Sequence, residues 1–262
     1  SDCQGRRIRV TSNGAANGYG DFSRRFRKEF SFTTRSYVQN LLLLNQIHSA
    51  VSQIKTGKLD KALETLDKAE TSARQSKSTD ALYYILFTRG GILYSAKEYD
   101  QALEAYEKAL EAGSDLLKTD PENADYQHYM GTTLSNTGNL LKKKSEIDKA
   151  DEYYSQARKI YFDLIKKDPQ NAVYQSYAGE NLNNYGELLM ESGSLEKACE
   201  ILREAIEIYE KLYKEKPDNL GYQAELSVAL SQLGGCLKHQ VPEELERQKR
   251  NYEEPLECRR AR

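Results

Sequence analysis

The sequence predicts an all-α protein, a solenoid of stacked helix pairs, and three observations carry that expectation. Small and apolar residues recur at a fixed interval of 48: Leu182, Gly186, Leu189, Ala198, Leu202 and Ala205 answer Leu134, Gly138, Leu141, Ala150, Tyr154 and Ala157. The same interval leads back to Leu86, Gly90, Leu93, Ala102, Tyr106 and Ala109. A fixed period of this size marks stacked copies of one supersecondary unit. Within a copy the apolar residues share one helical face, as in Ala198, Ile201, Leu202, Ala205, Ile208, Tyr209 and Leu212. Their spacing follows 3.6 residues per turn, and strand alternation is absent. The punctuation repeats too: Asp120-Pro121-Glu122-Asn123, Asp168-Pro169-Gln170-Asn171 and Lys216-Pro217-Asp218-Asn219, with Tyr-Gln following at 126–127, 174–175 and 222–223. Proline cannot continue a hydrogen-bonded helix and biases its predecessor away from one, so each cluster separates two helices.

Residues 1–35 break every period with Gly5, Gly14, Gly18 and Gly20 and cluster arginines with Phe22, Phe26, Phe30 and Phe32. Two readings stay open: a flexible leader partly docked on the first helices, or an arginine-rich, aromatic arm for RNA or an anionic membrane. From residue 36 the helical period takes over. A first repeat spans about 36–77, its first helix running from Tyr37 to Lys55, and it is short, since Ala62 precedes Ala102 by 40 residues. The second repeat, about 78–122, opens on the cap signals Ser78, Thr79 and Asp80. The third spans about 123–170 and the fourth about 171–218; residues 219–238 give one more first helix, a cap for the open end. Glu246, Pro242 and Pro255 then interrupt the pattern, leaving 239–262 as a tail.

Gly90, Gly138, Gly186 and Gly234 occupy one register. Glycine inside a helix costs about 1 kcal/mol relative to alanine. Its return in register predicts a close helix crossing, with Ala102, Ala150 and Ala198 expected as the opposing small residues.

Charge and cysteine usage narrow the function. The formal net charge is −2, but residues 1–35 hold eight basic against three acidic side chains, a net of +5, while the repeats sum to −7. An acidic repeat surface argues against nucleic-acid binding by the repeats themselves. Cys3, Cys199, Cys236 and Cys258 lie far apart without ligand spacing, which reads as reduced thiols of a cytoplasmic protein and neither a disulfide framework nor a zinc site. The longest apolar run, Leu41 to Leu44, is too short for a membrane span, and no signal peptide is recognisable. His48, His128 and His239 are scattered, and Glu180 and Glu187 stand two turns apart as charged helices routinely place them. The expectation is therefore no catalytic residue, no cofactor and no metal, and the protein is read as a non-enzyme.

The order Leu, Gly, aromatic, Ala, aromatic, Ala and Pro resembles the tetratricopeptide repeat (TPR), whose period is 34 residues. Here each full repeat is 14 longer, and Asn183-Asn184 with Ile206 to Glu210 is similar to the long-repeat branch that includes kinesin light chains. The likeness covers about 37–238; Ala50 replaces the glycine in the first repeat and Leu202 the aromatic in the fourth. It implies a right-handed α-solenoid whose first helices line a concave groove for a peptide or protein segment. Carried over by position, that groove holds His48, Val51, Tyr84, Phe87, Thr88, Tyr94, Thr132, Ser135, Asn136, Asn139 and Lys142. It continues through Glu180, Asn183, Asn184, Glu187, Val228, Ser231, Gln232 and Lys238. The groove candidates are Tyr84, Phe87, Tyr94, Asn136, Asn139, Asn183, Asn184 and Glu187. Asparagine suits the task because its amide donates and accepts at once, although the same amides also suit a plain solvated face. The two-carboxylate clamp of some members is incomplete: Asn139 and Asn184 fill its asparagine positions, but Ser135, Val228 and Gln232 stand at the cationic ones. The function implied is a non-enzymatic scaffold; a sensor or regulatory module of a larger signalling assembly, or RNA binding through residues 1–35, are the alternatives. A monomer is expected, with Leu245, Tyr252 and Leu256 of the tail folding over Leu230, Leu233 and Leu237; end-to-end pairing of two chains is the other way to cover them.

Overall fold

A computed structural model describes residues 34–238, with side chains from residue 42. Among these residues are nine helices and no strand. They are α1 (Thr34–Lys55), α2 (Leu59–Gln75), α3 (Thr79–Ser95), α4 (Tyr99–Thr119), α5 (Ala124–Lys143), α6 (Ile147–Lys167), α7 (Ala172–Glu191), α8 (Leu195–Glu215) and α9 (220–238). The chain is an all-α helical-repeat solenoid. The readings of the basic arm and of the tail with Leu245, Tyr252 and Leu256 lie outside the described residues.

The punctuation clusters work as joints between helices. Asn171 Oδ1 accepts from the N–H groups of Val173 and Tyr174 at 3.1 and 3.4 Å, capping α7. Asn123 does the same for Asp125 and Tyr126, and Asn219 for Gly221 and Tyr222. The first N–H groups of a helix have no partner within it, so a side-chain acceptor there stabilises the start. The recurring glutamine closes the joint from the other side: Gln127 Nε2 donates to the Pro121 carbonyl at 2.7 Å, and Gln175 Nε2 to that of Pro169 at 2.6 Å. Inside each full pair the turn uses a left-handed residue, Lys97 (φ 65°), Ser145 (φ 61°) or Gly193 (φ 78°). That conformation lets Glu98, Glu146 and Ser194 donate their N–H back to the carbonyls of Leu93, Leu141 and Leu189.

Two compact units result, one ending at Leu140 and one beginning at Leu141. In the first, Leu43, Ile47, Ala50 and Ile54 of α1 pack with Ala62, Leu66 and Ala69 of α2 and with Tyr83, Ile85 and Leu86 of α3. The buried phenol of Tyr83 donates to the Tyr129 carbonyl at 2.7 Å and lies 2.6 Å from the Thr133 hydroxyl, tying α3 to α5. In the second unit, Tyr154, Tyr161 and Leu164 of α6, Leu182, Tyr185 and Leu188 of α7, and Leu202, Tyr209 and Leu212 of α8 are buried together with the small residues between them.

The register glycines do mark a close crossing, but not against alanines. A Cβ on Gly90 would lie 2.6 Å from the Tyr106 ring, and one on Gly186 2.5 Å from Leu202 Cδ2. The expected partners, Ala102 and Ala198, sit one turn earlier on the second helix. The glycine thus makes room for the large residue of its partner helix, and Leu202 fills the space that an aromatic fills elsewhere. Around Gly234 nothing among the described residues stands within 4 Å of where a Cβ would lie.

A second correction concerns the cysteines. Cys199 and Cys236, expected as separate reduced thiols, are joined as a disulfide with Cα atoms 6.2 Å apart. Helix α9 follows α8 as α8 follows α7, so successive reversals return the end of α9 to the start of α8. A separation of 37 residues hides that proximity.

Candidate functional site

On α3 the three aromatic candidates are engaged in packing. Tyr84 is 8% exposed, its ring edge-on to Tyr83 at 5.3 Å and to Tyr129 at 4.9 Å. Burial pushes its phenol well above the ordinary tyrosine range. Phe87 is half-buried and stacked on Tyr83 at 6.1 Å; Tyr94 leans on Tyr99 at 5.8 Å. These rings shape the wall of the first unit. Asn136 and Asn139 on α5 are half-exposed.

Helix α7 carries the remaining candidates, and the helical period brings them onto one face together with Glu180. Asn184 is half-exposed, and its amide holds no hydrogen bond among the described residues. Glu187 forms an ion pair with Lys142, whose side chain is only 7% exposed. Asn183 is 4% exposed. Its Nδ2 donates to Glu225 Oε2 at 3.1 Å and to the Glu225 carbonyl at 3.3 Å, while its buried Oδ1 has no partner. Burial, and then the charge of Glu225, push the Glu180 carboxyl up to about 8. Behind it, the Tyr209 hydroxyl donates to the Ser176 carbonyl at 3.2 Å.

Glu225 is the residue that sequence reasoning missed. A signal was present: one and two periods back stand Tyr177 and Tyr129, so a carboxylate replaces an aromatic in α9. Glu180 likewise answers Thr132 and Tyr84. Several other carboxylates of this unit are matched by cations. Asp151 accepts from Lys197 and from the Tyr185 hydroxyl, each at 2.9 Å, and Glu204 takes Arg158 through two bonds of 2.8 and 2.6 Å. Among the described residues no three His, Cys, Asp or Glu side chains are grouped to hold a metal, and no helix is long and apolar enough to cross a membrane.

Comparison with known proteins agrees with this architecture. Residues 83–115 and 179–218 each match the tetratricopeptide repeat family. No curated protein sequence matches the chain. Among solved structures, BtubC from P. vanneervenii is 17% identical with a TM-score of 0.56, over 88% of this chain and 90% of that one. A putative kinesin light chain from Podospora anserina with nearly identical TPR-like repeats is 19% identical with a TM-score of 0.53, over 80% and 93% respectively. A variant of the same repeats matches with a TM-score of 0.54. At these identities the likeness speaks for the fold, which is the long-repeat helix pair read from the 48-residue period. Two stretches of the chain, 83–115 and 179–218, are thus tetratricopeptide repeats by sequence, and the fold is like that of the long-repeat kinesin-light-chain structures.

Proposed function

We propose that this chain is a non-enzymatic scaffold that recruits a protein segment on the faces of its first helices. Asn184 carries the reading: an amide held on a rigid helix, within reach of solvent, with no hydrogen-bond partner among the described residues. Such an amide can donate to and accept from one peptide unit whatever the side chain. Asn136 and Asn139 offer half-exposed amides on α5, and the rigidity of packed helices lowers the ordering cost of binding. Phe87 and Tyr94 supply apolar wall on α3.

The reading is tested in two steps. Affinity capture with the full chain and mass spectrometry identify a partner, and the binding segment is then measured against Asn136→Ala/Asn139→Ala/Asn184→Ala. Three lost hydrogen bonds at about 0.5–1.5 kcal/mol each predict a loss of at least tenfold in affinity with helicity unchanged. An unaltered affinity would mean that another surface binds. The scaffold is taken to act as a monomer. Cytoplasmic residence belongs to this reading only with the Cys199–Cys236 bond open, because disulfides rarely persist there.

A further inference from the structure

We propose that Glu180 and Glu225, with the amide oxygen of Asn183, form a receptacle for one lysine or arginine side chain of a bound protein segment. The inference rests on the reading of the α7 face as a peptide-binding surface and adds the chemistry of what it takes.

The groups are held together by geometry. Glu180 and Asn183 are neighbours on one face of α7, and Asn183 uses its Nδ2 to fix Glu225 of α9 through both side chain and carbonyl. The donor side of that amide is therefore spent inward. What remains is acceptors only: the Glu180 carboxyl, the second oxygen of Glu225 and Asn183 Oδ1, which is buried without a partner. A buried acceptor left unpaired costs about 1–3 kcal/mol, so such an atom points to a donor still to arrive.

Charge gives the donor its sign. Neither Glu180 nor Glu225 pairs with a cation among the described residues, whereas Glu187, Asp151 and Glu204 hold Lys142, Lys197 and Arg158. Burial first, and then the charge of Glu225, disfavour ionisation of Glu180, whose carboxyl is pushed up to about 8. The ionisable groups coupled to it are Glu225 of α9 and Tyr209 of α8, with Tyr222 of α9 beside Tyr209. None of these carries a positive charge that could serve as counter-ion. An incoming ammonium or guanidinium supplies one, offers several N–H donors to the three acceptors, and ionises Glu180. Both glutamates keep part of their surface in solvent, so the site is reachable from outside. Among the described residues no third carboxylate and no histidine joins this place, which favours an organic cation over a metal ion.

The test uses the full chain and three acetylated, amidated pentapeptides, Gly-Ala-Arg-Ala-Gly and its Lys and Gln counterparts, titrated calorimetrically up to about 5 mM at pH 7 and pH 8. The Arg and Lys peptides are expected to bind at least about tenfold more tightly than the Gln peptide. That preference falls to within about twofold in Glu180→Gln/Glu225→Gln and survives in Glu207→Gln/Glu210→Gln, which replaces two carboxylates on the exposed face of α8. Near pH 7 binding releases close to one proton, seen as a dependence of the heat on buffer ionisation, and affinity rises from pH 7 to pH 8. Equal affinity for the Arg and Gln peptides overturns the proposal. So does a preference that survives Glu180→Gln/Glu225→Gln, or a calcium chloride heat lost in that variant with no Arg preference. Asn184→Ala separates the two readings: weakened binding of all three peptides without an Arg preference sinks the receptacle alone, and an Arg preference indifferent to Asn184→Ala sinks the wider surface alone. No binding by any peptide sinks both.

Discussion

Gly186 and Leu202 show how one missing Cβ sets the distance between two helices. The leucine occupies the space where a Cβ would stand, 2.5 Å from its Cδ2. Gly186→Leu therefore forces a branched side chain into filled volume and is expected to cost about 1–3 kcal/mol in a thermal melt. The double change Gly186→Leu/Leu202→Gly should recover part of that loss by exchanging the two volumes; no recovery would show that the two residues do not meet. Glu180 gives a prediction of different sign. Its carboxyl ionises only around pH 8 in the folded chain, against an ordinary value near 4.5. Ionising it opposes folding, so the cost is absent below about pH 4 and grows as pH rises through that window. Glu180→Gln should accordingly leave the Tm unchanged at pH 4 and raise it at pH 9, by up to about 2 kcal/mol of stability once solvent access is allowed for. An equal effect at both pH values would mean that the carboxyl is not strained by its surroundings.

The helix pair is the scale at which the sequence was most readable. Period, apolar stripe and proline clusters are local properties, and α3 to α8 follow them; even Ser78 caps α3 as its residue type predicts, accepting from the Ala81 N–H. What the period could not show is which residue meets which across a crossing. Alanine opposite glycine satisfied the pattern as well as Tyr106 opposite Gly90 does, and only the packed geometry separates them. Glu225 was hidden for the same reason, since its role depends on Asn183, 42 residues earlier on another helix. The turn between the two helices of a pair carries its own prediction. Ser145 holds φ at 61°, a conformation that Gly57 and Gly193 adopt without a Cβ. The left-handed region costs about 1 kcal/mol or more for a residue with a Cβ. Ser145→Gly should stabilise the chain by about 0.5 kcal/mol after the added freedom of the unfolded state is subtracted. Asn171→Ala works the other way, removing the cap of α7 for a loss of about 1 kcal/mol, read by denaturant titration.

At the scale of the molecule a solenoid is held by neighbour-to-neighbour contacts, so its terminal helix has half the support of the others. Helix α9, the last of the described helices, shows it: Val228, Leu230 and Leu237 are 43, 50 and 40% exposed, and Gly234 meets nothing within 4 Å among the described residues. The side of α9 turned toward the repeats buries Ala229 and Cys236, and the bond from Cys236 to Cys199 fastens it to α8. Closing a loop of 37 residues restricts the unfolded chain by about 3–4 kcal/mol on the chain-entropy account. Opening the bond should therefore act first on the helix least supported otherwise. Hydrogen exchange followed by mass spectrometry, with and without reductant, is expected to show amides of 225–238 exchanging faster once the disulfide is reduced, while those of α6 and α7 keep their protection. Cys236→Ser should reproduce the reduced pattern and make it insensitive to reductant. If Cys199 and Cys236 of the denatured, unreduced chain both react fully with iodoacetamide, or if α9 exchanges alike in both conditions, α9 is held by packing alone and the clasp has no part in it.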